Sequence, residues 1–457
     1  SEHVEESLKN EYGQEASVLN IGPAGENLSL MAAIINEADR AAGRSGVGAV
    51  MGSKHLKAIV CKSKRTVVEP YDKEALRESV THCLKLIKEN GVTGTGLPTY
   101  GTAVLVNIIN NIGSFPTKNW QESEFANSEM ISGETLKEKH IVKQGFCHRC
   151  PIGCGRVINL NGKVVGGPEY EPLWAYGANC GVDNLEAINE ANYWANEMGL
   201  DAISCPTTIA TAMELYQKGY IKDEDCDGVP LEFGSAKAIV EWTKRIGLGH
   251  NKLAKLMAQG SYRLCEAYGV PELSMSVKKL EMPAYDARGI QGIGLNYATS
   301  NRGGCHVRGY MISPEILGLP QQLDRFETKD KATWTKIFQD LTAVIDSSGM
   351  CLFTSFALGA PEYASLINGA TGTNYTPTQL LEVGERIYNI ERLFNKAAGM
   401  KAEDDRLPNR LLKEPIPAGP SKGEVSKLHI TLPEYYEARG WKDAFPTEDT
   451  LRRLDLL

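Results

Sequence analysis

No stretch of this 457-residue chain approaches the roughly 20 consecutive apolar residues that a membrane-spanning helix requires. The N-terminus also lacks the apolar core of a signal peptide. A membrane is therefore not an expected partner, and a reducing cytoplasm is the expected setting. An excess of positive charge is missing too: 49 Lys and Arg stand against 57 Asp and Glu, a formal charge of −8, which argues against nucleic acid. Nor is there a disulfide framework, since eleven scattered cysteines are odd in number and sparse for this length. Internal repeats and long low-complexity runs are absent. The remainder is ordinary globular composition, 42% hydrophobic and 23% charged, enough for two or three domains at about 100–200 residues each. The chain opens S-E-H-V-E-E-S-L without a Met and soon reaches dense motif, as expected of a chain missing its beginning.

The texture changes twice. Residues 1–67 read as the end of a strand-containing unit: a polar helix (Glu2 to Tyr12), a strand (Val18 to Ile21), the turn G-P-A-G-E-N at 22–27, and an apolar stretch, Leu28 to Ile35. A glycine-rich loop at 42–54 and a strand, Leu56 to Cys61, follow. The basic stretch Lys54 to Arg65 calls for a local explanation. From Tyr71 the pattern is helical, and Leu76, Val80, Leu84 and Ile87 are spaced to form one core-facing stripe. Residues 91–99 read as a loop and 100–112 as a helix; Asn161-Gly162 reads as the two-residue turn of a hairpin over 156–165. Helices are expected near 185–198, 204–218, 235–246 and 251–268, the first ending in a left-handed cap at Gly199. A glycine-studded stretch (285–311), helices near 327–345 and 376–399, and a Pro-, Lys- and Glu-rich surface tail over the last forty residues complete the chain.

The most informative residues are Q-G-F-C-H-R-C-P-I-G-C-G-R, 144–156, with thiols at Cys147, Cys150 and Cys154 in a C-x2-C-x3-C run. Spacings of two and three let one turning loop aim several sulfurs at a common point. Zinc sites usually pair two C-x2-C units or a C-x2-C with histidines, and no second pair occurs here. Cys150-Pro151 favours an iron–sulfur cluster, though spacing alone leaves zinc or unliganded thiols open.

The loop A-G-R-S-G-V-G-A-V-M-G-S-K, 42–54, offers backbone N–H groups with Arg44, Lys54 and Lys57 nearby. It suits an anion or a tight structural turn about equally. It is neither a Walker A loop nor G-x-G-x-x-G. Glu169, Tyr170 and Glu171 follow Gly-Gly-Pro in a presumed loop, where a carboxylate is most often just solvated. His306 lies in the glycine-rich stretch between Arg302 and Arg308. N-E-M-G-L-D (196–201) and D-S-S-G-M-C (346–351) share a polar-x-x-Gly-apolar shape at helix ends, suited to gripping two similar halves of a ligand. Cys351 could there be a fourth cluster thiolate, although an isolated Cys is usually a small core residue.

Five stretches together resemble one family. They are G-P-A-G-E-N with A-G-R-S-G-V-G-A-V-M-G-S-K-H-L-K-A-I; C-H-R-C-P-I-G-C-G-R; G-P-E-Y-E-P-L-W-A-Y-G-A-N-C-G-V-D-N-L-E-A-I; Y-D-A-R-G-I-Q-G-I-G-L-N-Y-A-T-S-N-R-G-G-C-H-V-R-G-Y-M; and D-S-S-G-M-C. In this order they resemble the tungsten-containing aldehyde ferredoxin oxidoreductases. The resemblance implies an α+β, mostly α-helical fold: the remnant of a β-rich cofactor-binding domain (1–67) followed by two helical domains (68–280 and 281–457). Most of the family's first domain is expected to be missing.

The resemblance also implies roles. Cys147, Cys150, Cys154 and Cys351 match the ligands of one [4Fe–4S] cluster, and Glu171 and His306 the acid/base residues beside tungsten (or molybdenum) held by two molybdopterins. Asp201 and Asp346 match pterin contacts, and Asn196 stands where the family usually has Asp. Arg308 matches a basic position near the pterin, and Arg40 with the Ala41 carbonyl matches contacts to the pterin phosphates and a bridging Mg2+. Arg44 joins this cofactor-binding set. The implied reaction oxidises a small-molecule aldehyde to a carboxylic acid and sends electrons to ferredoxin or another low-potential carrier. The alternatives are a relative acting on a carboxylate, thioester or aromatic ring, or a non-catalytic electron-transfer subunit. With no E-x-x-H in the chain, a metal-bridged dimer has no support, which leaves a homodimer of another kind open.

Overall fold

A computed structural model describes residues 1–63 and 68–457. The boundary expected at 67/68 and the end of the basic stretch, Lys64 and Arg65, lie outside the described residues. The fold is α+β and mostly helical. Among the described residues, no helix is long and apolar enough to cross a membrane.

Residues 1–63 form a four-stranded antiparallel sheet in the order β3-β2-β1-β4, with β1 Ser17–Ile21, β2 Ile34–Asn36, β3 Arg40–Ala42 and β4 Ala58–Cys61. Val18, Asn20 and Ile21 of β1 are buried, while Leu19 faces out opposite Ile59 of β4. The expected turn at 22–27 is one helical turn, Pro23–Glu26, started by a proline whose missing N–H costs nothing at that position. The glycine-rich loop turns at Gly46 (φ 70°) into the helix Val47–Ser53. A Cβ on Gly48 would lie 2.4 Å from the Ala33 carbonyl oxygen, so glycine there lets helix and sheet touch.

A second, three-stranded sheet comprises β5 Ile141–Gly145, β6 Gly155–Leu160 and β7 Lys163–Gly166, in that order. The β6–β7 hairpin turns at Asn161 and Gly162, both at positive φ, as read from the sequence. β5 was not legible, and it defines the cysteine loop: residues 146–154 connect β5 to β6, closed at the base by the Gly145–Gly155 pair.

Helices Leu185–Met198, Ser204–Gln217 and Ala236–Leu248 lie where expected, the first ending in left-handed Gly199 (φ 69°). The helix expected over 251–268 is two, Lys252–Met257 and Ser261–Ala267, broken at Gly260 (φ 90°). The stripe expected on the helix Lys73–Glu89 is rotated. Cys83 and Ile87 are buried, whereas Val80 and Leu84 are 39% and 45% exposed, because a single neighbouring helix, Ala360–Thr371, covers a narrower face. The loop expected over 91–99 is instead helical, with Asn90 Oδ1 accepting from the N–H groups of Val92 and Thr93; an N-cap was read as a turn. The glycine-studded stretch hides the helix Gln291–Thr299, buried on every side and so without amphipathic period.

The expected surface tail is instead core. The helix Leu428–Arg439 packs on Lys331–Ser347, with Tyr435 and Arg439 fully buried. Arg439 donates from Nη1 to Asp340 Oδ1 (2.5 Å), from Nη2 to Gln339 Oε1 (2.7 Å) and from Nε to the Tyr435 hydroxyl (2.9 Å). Its guanidinium also sits 4.3 Å from the Tyr388 ring centroid. Charged composition misled because these charges are paired. Arg439→Met should cost about 3–5 kcal/mol by leaving Asp340 buried without this partner. A marked drop in the thermal midpoint of the purified variant checks this.

Candidate active site

A cavity of about 470 Å³ ends on a polar floor. Its walls are apolar: Val92 and Leu97 come from the glycine-rich helical turns, Ile108 from the helix Leu105–Asn111, and Phe353 and Phe356 from the turn after Cys351. The floor holds Glu169, Glu171, Tyr285, His306 and Tyr310. No lysine or arginine lines the cavity among the described residues.

Glu171 is not in a loop. It occupies the first turn of the helix Tyr170–Tyr176, which Glu169 precedes as N-cap residue. Its Oε2 accepts from the Ala284 N–H at 3.0 Å, while Oε1 is buried without a hydrogen-bond partner, 3.5 Å from His306 Nε2. Burial raises the carboxyl to about 8, against lowering by the Ala284 N–H and by Arg44. The imidazole is held well below its ordinary value, first by burial and then by Arg44 and Arg302. The close approach of Glu171 and His306 is thus a neutral acid beside a neutral imidazole, not an ion pair. His306 Nδ1 is buried and unpartnered as well. The ring centroids of Tyr285 and Tyr310 each lie 6.0 Å from that of His306, and their hydroxyls are 2.8 Å apart. Sequence reasoning missed both tyrosines. Their only signal was position, flanking the glycine-studded stretch.

Arg44 spans three parts of the chain. Nε donates to Asp201 Oδ2 (3.0 Å), Nη1 to the Gly304 carbonyl (2.6 Å), and Nη2 to the Glu281 carbonyl (2.5 Å) and Ser204 Oγ (3.3 Å). Three of the neighbouring backbone N–H groups are spent within the protein: those of Gly48, Ala49 and Val50 go to the carbonyls of Ala32 and Gly46. Lys57 is likewise spent, on the Ile21 carbonyl and Glu26.

The two helix-end loops do share a shape. The Gly199 N–H bonds the Asn196 carbonyl and Leu200 bonds Ala195; the Gly349 N–H bonds the Asp346 carbonyl and Met350 bonds Ile345. Both glycines are left-handed, so both ends are the same Schellman turn. Asp346 is half-exposed, its Oδ2 3.9 Å from Arg308 Nε, while Arg308 Nη2 binds Glu391 at 2.7 Å.

Left-handed Arg149 and Gly153 bend the cysteine loop twice, and the Ile152 N–H points at Cys150 Sγ (3.4 Å). Cys154 is pushed up to about 12, first by burial, then by Glu169, Cys351 and Cys150, with Arg40 opposing. Cys351, raised by burial, also feels Cys150 and Cys147. Cys150 and Cys351 are thus near enough to act on Cys154, and Cys147 and Cys150 on Cys351. Among the described residues they do not form the tight set that one ion would need. Arg40 stands beside this group, 3.8 Å from Glu169. Ala41 is exposed on edge strand β3, and no side-chain hydrogen bond or ion pair links Asn196 to the other site residues; the Asn196 side chain is half-buried at its helix end.

A carboxyl beside an imidazole closes an apolar cavity whose wall includes Leu352, directly after Cys351, an arrangement suited to an oxidoreductase. The family model for the N-terminal domain of aldehyde ferredoxin oxidoreductase matches residues 1–63, and that for its domains 2 and 3 matches residues 78–456. The chain belongs to the aldehyde ferredoxin oxidoreductase family. It is 51% identical to the tungsten-containing aldehyde ferredoxin oxidoreductase of Pyrococcus furiosus over 96% of this chain and 73% of that one. The Thermococcus kodakarensis protein of the same name is 49% identical over the same shares, 96% and 73%. A P. furiosus protein described as the WOR-like subunit of an aliphatic sulfonate oxidoreductase is 30% identical over 97% of this chain and 70% of its own length. The fold matches the benzoyl coenzyme A reductase BamBC complex with a TM-score of 0.80, at 22% identity, over 99% of this chain and 75% of that one.

The Glu171 carboxyl should be protonated at neutral pH and lose its proton as pH rises through about 8. A carboxylic-acid infrared band that titrates away in that range, and is absent from Glu171→Gln, checks this.

Proposed function

We propose that this protein oxidises uncharged aldehydes to carboxylic acids at a tungsten–bis-pterin centre and passes the electrons through a [4Fe–4S] cluster to ferredoxin. The observation that carries the reading is the apolar cavity ending on Glu171 and His306, in a chain about half identical to enzymes named for that reaction.

The donor sets fit both groups. Four cysteines are the usual ligands of a cubane cluster, and Cys351 is near enough to Cys150 and Cys147 to feel both. Cys147, Cys150, Cys154 and Cys351 would hold the cluster. For the pterin group, the fit rests on unpartnered buried atoms gathered near the cavity floor: Glu171 Oε1, His306 Nδ1 and Arg302 Nε. Asp201 and Asp346 would take hydrogen bonds from the pterins, with Asn196 paired to Asp201 on one side and Arg308 to Asp346 on the other. Arg40 and Arg44 would supply positive charge toward the phosphates, with Mg2+ at the Ala41 carbonyl. Asp201 already accepts from Arg44 and from the Ile203 N–H, yet carboxylate oxygens have further lone pairs to offer.

Aldehyde plus water gives carboxylic acid, two protons and two electrons, and the metal–pterin group, when bound, would supply the two-electron oxidation. The chain's residues handle binding and protons. The apolar walls exclude bulk water and hold the substrate's body, leaving its carbonyl at the polar floor. Glu171 Oε1 is the atom that takes or returns the proton, since Oε2 is committed to Ala284. A carboxyl poised near neutral is well matched to that task, and the neutral His306 can donate or accept beside it. In the oxidative direction the carboxylate form is needed, so turnover gains as pH rises toward and through about 8.

Because no lysine or arginine among the described residues faces the cavity, a carboxylate, phosphate or sulfonate on the substrate would be desolvated without compensation. Aromatic and long-chain aldehydes should therefore be turned over with kcat/KM at least ~10^2 above that of carboxylated or phosphorylated aldehydes. A purified, metal-replete enzyme that prefers the charged substrates would overturn the assignment of this cavity.

Cys351→Ser should bleach or weaken the cluster's visible absorbance and lower iron content. A variant with the wild-type spectrum and iron content would remove Cys351 from the ligand set.

A further inference from the structure

Three guanidiniums act on the Glu171–His306 pair or stand beside it, and their donors are spent very differently. Arg44 uses Nε, Nη1 and Nη2 on four acceptors inside the protein. Arg308 gives Nη2 to Glu391 and turns Nε toward Asp346. Arg302 is different. Among the described residues its one hydrogen bond runs from Nη2 to Cys305 Sγ at 2.9 Å, and its buried Nε has no partner.

A guanidinium carries five N–H donors, so one protein acceptor leaves several of them for a ligand or solvent. The buried Nε is the costly one, since solvent does not reach it. Its position is well defined. Cys305 is fully buried, and its carbonyl accepts from Asn296 Nδ2 at 2.8 Å. Arg302 is also near enough to His306 and to Asp346 to act on each electrostatically. Burial alone would raise the Cys305 thiol, yet Arg302 and Arg44 outweigh it and draw the thiol below its ordinary range. That pull reflects how much positive charge converges here.

We propose that Arg302 is a further anion-binding residue of the metallopterin site: its unspent guanidinium edge contacts the anionic dithiolene–phosphate framework beside His306, and Cys305 fixes its orientation as a positioning residue. This rests on the cofactor reading given above. Arginine suits the task because its planar fork can make two parallel bonds to an anion, which lysine cannot.

The test uses the whole protein from tungstate-supplemented culture, comparing tungsten-to-iron ratio and the tungsten electron paramagnetic resonance signal in wild type, Arg302→Met, Arg302→Lys and Cys305→Ala. Arg302→Met should lose tungsten about fivefold relative to iron while keeping its iron. Arg302→Lys should retain more tungsten but show a shifted tungsten signal, and Cys305→Ala should shift the signal with tungsten largely kept. Arg302→Met with the wild-type ratio and a superimposable signal would overturn the proposal. If Arg302→Met loses iron too, and so has failed to fold, Arg302→Lys decides: a shifted signal supports the contact and an unchanged one overturns it. An unchanged signal in Cys305→Ala overturns the positioning role. Wild-type protein without tungsten would sink the parent reading before any substitution is considered.

Discussion

One buried guanidinium holds the arrangement together. Arg44 enters from the first sheet and ties the Asp201 turn, Ser204, the Glu281 carbonyl and the Gly304 carbonyl into one knot. Gly304 is two residues from His306, and Asp201 closes one of the two matching helix ends. Both contribute to the field at the acid/base pair: Arg44 lowers Glu171 and His306, while Asp201 raises Glu171. A buried charge with this many acceptors is stable only if all of them stay in place, so it fixes the relative position of three stretches far apart in sequence. The backbone reinforces it: the Ala33 N–H bonds the Gly199 carbonyl and the Asp201 N–H bonds the Met31 carbonyl. Gly22 allows that approach, since a Cβ there would lie 2.4 Å from the Met198 backbone.

Local signals in the sequence were reliable where they were chemical. Asn161-Gly162 marked a hairpin, Gly199 a left-handed cap, and the paired N-E-M-G-L-D and D-S-S-G-M-C segments two identical turns. Signals based on period failed where burial is complete or narrow. The helix Gln291–Thr299 is covered on all sides and shows no stripe, and the helix Lys73–Glu89 presents a slimmer face than its leucines suggested. Composition failed at the C-terminus, because counting charges does not show that Arg439 and Asp340 neutralise each other in the core.

The candidate site was half legible. Glu171 and His306 were named through family resemblance, but their approach to 3.5 Å, and the neutrality of both, depend on packing that spacing does not encode. Tyr285 and Tyr310 escaped notice because a lone tyrosine carries no pattern. The glycine-rich loop at 42–54, which suited an anion or a tight turn equally, runs into a helix whose Gly48, Ala49 and Val50 amides bond the carbonyls of Ala32 and Gly46.

Phe353, in the cavity wall, lies two residues after Cys351, on the same short turn. Phe353 and Phe356 stack on one another, and Phe356 packs against Tyr310 of the floor. Selection for a wider or narrower pocket therefore cannot act on this wall without also moving a sulfur of the thiol group. In a lineage diversifying its substrates, change here would be slow and coupled, while Ile108, on the helix Leu105–Asn111, lines the cavity from a part of the chain remote in sequence from the cysteines. Differences in specificity between descendants should accumulate on that side.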